Sequence, residues 1–131
     1  MHISEAARKA QLPIKTIRYY ADIGLVAPVG RTASGYRQYD SPTIGRLIFV
    51  RQAREFGFSI DECRELLALY DGASQNHEEV RALAQVKKDA IKRKQQDLQQ
   101  LHDQLTELIT ACEAAEQSGT AACPILQYLG N

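Results

Sequence analysis

The sequence predicts a mainly α-helical fold in which a small N-terminal head precedes one long helix and a C-terminal loop. Apolar residues recur at helical spacing through residues 3–70, and one glycine-containing stretch, residues 25–40, fits a short β-hairpin. Between Ile91 and Cys112 the apolar positions are separated by alternating steps of three and four residues. The closing stretch is rich in small residues and holds a second cysteine, Cys123.

The first residues predict two short helices joined by a tight turn. Ser4 is placed to cap a first helix that reaches about Ala10. Pro13 fits the first turn of a second helix, because its missing N–H would be unpaired there. Gly24 is expected to end this unit.

The second helix separates its residue types onto two faces. Lys15, Arg18 and Tyr19 are expected to face outward, whereas Ile17 and Tyr20 are expected in the core. Two short helices of which the second is basic and aromatic are typical of a helix-turn-helix.

Residues 25–40 predict a hairpin beside these helices. Its glycines and its flanking valine and tyrosine residues favour two short strands. Arg31, Tyr36 and Arg37 lie at or near the tip. A basic and aromatic hairpin next to a helix-turn-helix is interpreted as a wing.

Two further helices complete the head, which is predicted to span residues 1–70. The third begins at Ser41 and ends at Gly57, with Arg54 near its end. Ser59 and Glu62 have the spacing of a capping box for the fourth. The apolar positions of the two helices are Leu47, Ile48, Phe49, Val50, Ile60, Cys63, Leu66, Leu67 and Tyr70.

A long helix is predicted over residues 76–111, after a polar linker at 71–75 and before a terminal loop at 112–131. One narrow apolar stripe in an otherwise charged helix requires a partner, most simply a second copy of the chain. The stripe consists of Ile91, Lys94, Leu98, Leu101, Leu105, Leu108 and Cys112.

Charge is divided unevenly along the chain. Residues 1–58 carry nine Lys and Arg against four Asp and Glu, a net charge of +5, whereas residues 59–131 carry seven against twelve, a net charge of −5. A basic head is expected to contact a polyanion. The sequence shows no apolar leader, no membrane-spanning stretch and no nucleophile–base pair or phosphate loop, so we expect a cytoplasmic protein that is not an enzyme.

The sequence resembles the MerR family of dimeric transcription regulators. The resemblance rests on ISEAARKAQLPIKTIRYYADIGLV, RTASGYRQYD and LIFVRQAREFGFSIDECRELL, and it covers nearly the whole chain. The ending, Cys112 followed later by Cys123-Pro-Ile-Leu, resembles the copper-responsive branch of CueR-like and HmrR-like proteins.

The resemblance implies an antiparallel coiled-coil homodimer that binds a promoter with dyad symmetry. Metal binding would change the angle between the two heads, distort the DNA and realign the promoter for RNA polymerase. The expected DNA contacts are Lys15, Arg18 and Tyr19 on the recognition helix, Arg31, Tyr36 and Arg37 on the wing, and, as a weaker candidate, Arg54.

Cys112 and Cys123 are the candidate metal ligands. Two soft thiolates suit Cu(I), Ag(I) or Au(I), and in the copper-responsive branch two loop cysteines hold one Cu(I). We expect the Cys112 thiolate to meet the unfavourable C-terminal dipole of the long helix, which a bound cation would offset. A disulfide or redox switch is the other interpretation, although the family's redox branch uses four cysteines on an iron–sulfur cluster. Cys63 is expected in the core.

His77 leaves the identity of the ion open. It lies at the start of the long helix, where the family resemblance brings the partner's metal loop close. The matching residue is usually Ser in the copper branch and Cys in branches that bind Zn, Cd, Pb or Hg, so His77 of a second copy is a possible third ligand for a divalent ion. A sensor of an organic ligand would be expected to have a bulky effector domain or more cysteines.

Overall fold

The computed structural model of the protein describes residues 1–72 and 76–131. Within these ranges it contains six helices and one hairpin, which confirms the predicted mainly α fold. The elements are α1 Ile3–Ala10, α2 Ile14–Asp22, β1 Gly30–Arg31, β2 Arg37–Gln38, α3 Ser41–Glu55, α4 Ile60–Asp71, α5 His77–Gln117 and α6 Pro124–Leu129. The chain divides into two compact units, Met1–Lys87 and Lys88–Asn131.

The predicted linker at 71–75 is only partly described. Asp71 is the last residue of α4 and Gly72 caps its C-terminus, whereas residues 73–75 lie outside the described ranges. Asn76 caps the start of α5, because its side-chain oxygen accepts the Glu79 N–H at 3.1 Å.

The prediction that Ser4 caps the first helix is wrong. The helix begins at Ile3, and His2 takes the extended capping position without a side-chain hydrogen bond. The Ala6 N–H donates to the His2 carbonyl at 3.0 Å, so Ser4 already lies inside the first turn. At the other end Gln11 makes the tight turn with φ of 57°, a conformation that few residues other than glycine adopt.

Pro13 precedes α2 rather than forming its first turn. Its extended backbone occupies the capping position, and its carbonyl accepts the N–H groups of Thr16 and Ile17. Gly24, with φ of 71°, follows the end of α2 in the left-handed conformation, as a helix-terminating glycine does.

The core of the first unit forms where α1, α2, α3 and α4 pack together. Ile17 and Tyr20 are buried there, as predicted from their face of α2, and so is Cys63. Ile48 and Phe49, which were expected to point inward, are half-buried. The fully buried larger side chains are Ile17, Val26, Tyr39, Thr43, Leu47, Val50 and Cys63.

Side-chain hydrogen bonds cap the N-termini of α3 and α4. The Asp40 carboxylate caps α3 by accepting the Thr43 N–H at 3.0 Å. The predicted capping box of α4 is confirmed, since Ser59 Oγ accepts the Glu62 N–H at 3.1 Å and Glu62 Oε1 accepts the Ser59 N–H at 2.8 Å.

The wing is a two-residue ladder extended by the N-terminus. β1 and β2 pair antiparallel, with Arg31 opposite Arg37. Beyond β2, the Tyr39 N–H donates to the Met1 carbonyl at 2.8 Å, and the Met1 nitrogen donates to the Tyr39 carbonyl at 2.7 Å. The first residue of the chain is therefore fixed to the strand that returns from the wing.

In the second unit the long helix extends beyond its predicted end at residue 111. It continues to Gln117, because the Ala and Glu residues after Cys112 favour helix and the first breaking signal is Ser118–Gly119. Gly119 has φ of 75°, and the Thr120 N–H closes the helix end on the Ala115 carbonyl. Cys112 thus lies on α5 rather than at the beginning of the loop.

The C-terminal tail contains a helix that the sequence did not predict. α6 begins at Pro124, which is favourable at the first helical position, and Cys123 precedes it as the capping residue. Among the described residues, none of the helices has the length and apolar character needed to cross a bilayer.

Candidate nucleic-acid interface and metal centre

The outer face of α2 presents a basic and aromatic surface. Lys15, Arg18 and Tyr19 are exposed, Tyr19 by 52%, while Ile17 and Tyr20 anchor the opposite face in the core. Burial raises the pKa of the Tyr20 phenol, and the neighbouring Arg54 charge partly opposes that shift. The rigid inner face fixes the direction in which the three outer side chains project.

Two of the predicted contact residues of the wing are exposed to solvent. Tyr36 is 65% exposed. Arg31 is also exposed, and its Nη1 donates to the Gly35 carbonyl across the turn at 3.0 Å. Glycine fits this turn because Gly35 has φ of 86°.

Arg37 and Arg54 have structural contacts that the sequence did not reveal. Arg37 pairs with Asp22 at 3.2 Å, which ties the wing to the end of α2 and leaves 25% of its side chain exposed. Arg54 Nη1 donates to the Phe58 carbonyl at 2.9 Å and stabilises the turn between α3 and α4. Part of each guanidinium is therefore used within the protein.

Two residues of the first unit were missed by sequence reasoning. The His2 ring packs edge-on against Tyr36, with 6.2 Å between ring centroids. Lys87 Nζ lies 3.1 Å from Glu62 Oε1 and 3.0 Å from the Gly57 carbonyl, and it stands over the Phe58 ring. No local signal could have found either contact, because each joins residues that are far apart in sequence.

The second unit brings the two predicted metal ligands together. The sulfur atoms of Cys112 and Cys123 are 3.7 Å apart, and both residues are half-buried. The turn at Gly119 reverses the chain after α5 and returns Cys123 to the helix. α6 also contacts α5 through a hydrogen bond from Gln104 Nε2 to the Tyr128 hydroxyl at 2.8 Å.

The two thiols have different electrostatic surroundings. The hydrogen bond with Cys123 raises the pKa of Cys112, as do burial and the carboxylates of Glu116 and Glu113. The backbone N–H of Leu126, and then the bond with Cys112, lower the pKa of Cys123.

The predicted effect of the α5 dipole on Cys112 needs correction. The helix continues past Cys112, so the hydrogen bond with Cys123, burial and the nearby carboxylates, rather than the helix end, oppose ionisation of the Cys112 thiol. A bound cation would offset those effects in the same way, because it neutralises the thiolate beside Glu113 and Glu116.

The third cysteine and the remaining candidate ligand, His77, lie elsewhere. Cys63 is fully buried in the first unit, and burial raises its pKa. His77 is exposed at the start of α5, and Cys112 lies near the other end of this continuous helix. The described residues contain no group of three or more His, Cys, Asp or Glu suited to one metal ion. The sulfur pair fits a soft ion that accepts two thiolate ligands.

The fold and exposed basic surface define a winged helix-turn-helix DNA-binding regulator. Residues 1–69 match the family described as "MerR HTH family regulatory protein", and residues 44–108 match the family described as "MerR, DNA binding". The chain belongs to the MerR family of transcriptional regulators, which bind promoter DNA and are not enzymes.

Its relatives include named transcriptional regulators and one regulator solved with a bound metal ion. The chain is 42% identical to the regulator HmrR of Rhizobium leguminosarum bv. viciae over 100% of this chain and 98% of that protein. It is 40% identical to CueR of Yersinia pestis, over 98% and 91% of the two chains. Among solved structures it resembles the regulator PbrR691 of Ralstonia metallidurans CH34 in complex with lead(II), with a TM-score of 0.82, 32% identity and 98% coverage of both chains.

Proposed function

We propose that this regulator is a Cu(I)-responsive transcriptional activator that senses the ion through Cys112 and Cys123. The observation that carries the proposal is the 3.7 Å separation of two half-buried sulfur atoms, with no group of three ligands among the described residues. Such a pair can supply two thiolates to Cu(I), and Ag(I) or Au(I) would compete for it. The similarity to HmrR and CueR supports this assignment.

The proposed DNA surface combines the recognition helix and the wing. Lys15 and Arg18 would contact base edges or phosphates, Tyr19 the backbone, and Arg31 and Tyr36 the phosphates beside the wing. Arg37 and Arg54 would contribute less than a free arginine, because Asp22 and the Phe58 carbonyl already engage them.

The regulator is proposed to act as a homodimer. The stripe on α5 is open to solvent in a single chain, with Leu98 exposed by 66%, Leu101 by 56% and Leu105 by 55%. A heptad row of this kind becomes stable when it packs against an equivalent helix. Two heads joined in this way match a promoter with dyad symmetry, on which RNA polymerase would be realigned by distortion of the DNA. A regulator that binds such a promoter would act in the cytoplasm.

In this proposal, the bound ion acts on the DNA-binding head by ordering the C-terminal region. Cys112 continues the α5 stripe, and Cys123 is the capping residue before α6, so an ion held by both would join the proposed dimer interface to the tail. The exposed apolar residues Leu126 and Leu129 could then dock on a DNA-binding head and change its orientation.

A divalent ion bound with His77 is the second candidate. The lead-bound crystal structure of the relative PbrR691 favours it. Because His77 opens the same helix that carries Cys112, it would have to come from a second copy of the chain. The site would then contain two sulfur ligands and one nitrogen ligand.

Anaerobic titration of the reduced protein with Cu(I), followed by X-ray absorption spectroscopy, tests the ion. We expect one ion per site with two short sulfur ligands, retained in His77→Ala. A site of three or four ligands that includes nitrogen would overturn the Cu(I) assignment and support the divalent ion.

Reporter transcription tests the activator mechanism. Cys112→Ser and Cys123→Ser should each abolish the metal response while leaving DNA binding intact, because the thiols and the DNA surface lie in different units. Cys63→Ala is the matched control and should keep the response. Loss of DNA binding in the metal-free serine variants would contradict the proposal.

A further inference from the structure

The N-terminal segment lies against the wing through paired backbone hydrogen bonds. Met1 and Tyr39 exchange two bonds, of 2.8 Å and 2.7 Å, in the manner of neighbouring antiparallel strands. His2 is held next to them, with its ring edge-on to Tyr36. Because His2 makes no capping bond to α1, its imidazole nitrogens are not used for helix formation.

A cleft of about 330 Å³ lies at this junction. It is lined by His2, Ile3, Tyr36 and Arg37. Arg37 uses one nitrogen for Asp22, while its Nη1 is buried and has no hydrogen-bond partner among the described residues. A ligand that draws the guanidinium toward the cleft would supply that nitrogen with an acceptor.

The chemistry of the lining matches the backbone of nucleic acid. The imidazole N–H is a donor in both protonation states, and the Arg37 guanidinium is a permanent cation, so both suit a phosphate. The apolar faces of Ile3 and Tyr36 suit the deoxyribose. The acidic groups of the neighbouring helices α1 and α2 are paired, Glu5 with Lys9 and Arg8, and Asp22 with Arg37.

We propose that His2, Tyr36 and Arg37 together hold one phosphate–deoxyribose unit of the DNA backbone. The N-terminal segment then binds DNA together with the wing, and His2 is a DNA-binding residue. This inference rests on the DNA-binding function and adds a contact to it. It requires neither the metal site nor a particular operator sequence, because phosphate contacts are independent of sequence.

Titration of the full-length protein with a short DNA duplex of unrelated sequence at low salt tests this contact. His2→Ala should weaken binding roughly five- to tenfold, the effect of losing one hydrogen bond to a charged group. Ser4→Ala is the matched control, since Ser4 is exposed in the same turn and does not line the cleft. His2→Lys should restore affinity and steepen the salt dependence by about one phosphate contact.

A double-mutant cycle tests whether the residues share one phosphate. His2→Ala and Arg37→Ala together should cost less than the two separate losses combined. Additive losses, unchanged affinity in His2→Ala, or an equal loss in Ser4→Ala would each overturn the inference. Circular dichroism checks that each variant is folded, and His2→Gln replaces His2→Ala if the latter unfolds.

Arg18→Ala separates this inference from the underlying function. If Arg18→Ala weakens binding and His2→Ala does not, the recognition helix binds DNA and the contact at His2 is refuted. If the unmodified protein fails to bind any duplex at low salt, the DNA-binding function itself fails.

Discussion

At the scale of single residues, the two thiols of the candidate metal centre differ although they touch. Cys123 is the capping residue before α6, and the backbone N–H of Leu126 lowers its pKa. The hydrogen bond with Cys123, and then burial and the carboxylates of Glu116 and Glu113, raise the pKa of Cys112. These opposite directions make Cys123 the more readily ionised thiol of the two. Because the thiolate is the form that binds metals, we expect Cys123 to be the first of the two to bind a metal ion.

Alkylation rates should reveal this difference. Below the ordinary thiol pKa of about 8.5, a lowered pKa gives more thiolate, so iodoacetamide should modify Cys123 before Cys112. Cys63 should react last because it is buried. Mass spectrometry of peptides taken over time measures each rate, and the unfolded protein serves as the control in which all three react alike. Faster labelling of Cys112 would contradict the electrostatic assignment.

At the scale of elements, the start of α4 is held by both local and distant groups. The Ser59 N–H, and then Lys87, lower the pKa of Glu62. The charged Glu62 therefore contributes stability that is fully present above the unfolded carboxyl pKa of about 4.3 and is lost as pH falls through the lower folded pKa. Lys87 adds a tertiary contact from α5 to this capping box.

Removing the cap should lower the free energy of unfolding. Ser59→Ala leaves the Glu62 N–H without its side-chain acceptor and should cost about 1 kcal/mol. Ser41→Ala is the matched control, because Asp40 rather than Ser41 caps α3. Chemical denaturation at one fixed protein concentration measures both variants, since dimer formation would make stability depend on concentration. Equal stability of the two variants would refute the role of the cap.

At the scale of the whole molecule, α5 is not expected to be stable as an isolated helix. Its 41 residues include none that are fully buried by the rest of the chain. The exposed leucines of the stripe lie among charged and amide side chains. Only this one narrow face is apolar, and a partner helix is needed to bury it. A second copy satisfies this requirement with the same stripe.

Sedimentation measures the oligomeric state directly. We expect the protein to sediment at twice its chain mass of 14.6 kDa, and Leu101→Lys to sediment as a single chain. Gln100→Lys adds the same charge outside the stripe and should remain dimeric. Loss of the dimer should also weaken DNA binding, because two linked heads bind more tightly than one. A Leu101→Lys protein that is still a dimer would show that the stripe is not the dimer interface.

Prediction from sequence succeeded where the signal was local or periodic. The capping box at Ser59 and Glu62 is a three-residue pattern, and the buried positions Ile17 and Tyr20 follow from helical spacing. The same reasoning misplaced the cap at Ser4, because a serine at a helix start can equally occupy the first turn. It also ended the long helix at residue 111, although the breaking signal comes only after Gln117.

The sequence by itself determined the mainly helical fold, the basic face of α2, the apolar stripe of α5 and the cysteines available to a soft ion. These features depend on residue type and spacing along one element. The pairing of Cys112 with Cys123 was already expected from the family resemblance, and the structure added the 3.7 Å separation of their sulfur atoms. Only the tertiary structure decided the contacts that no pattern predicted: His2 with Tyr36, and Lys87 with Glu62. The physical reason is that such contacts depend on how turns and helix ends redirect the chain, and a shift of a few residues in a helix end changes every contact beyond it.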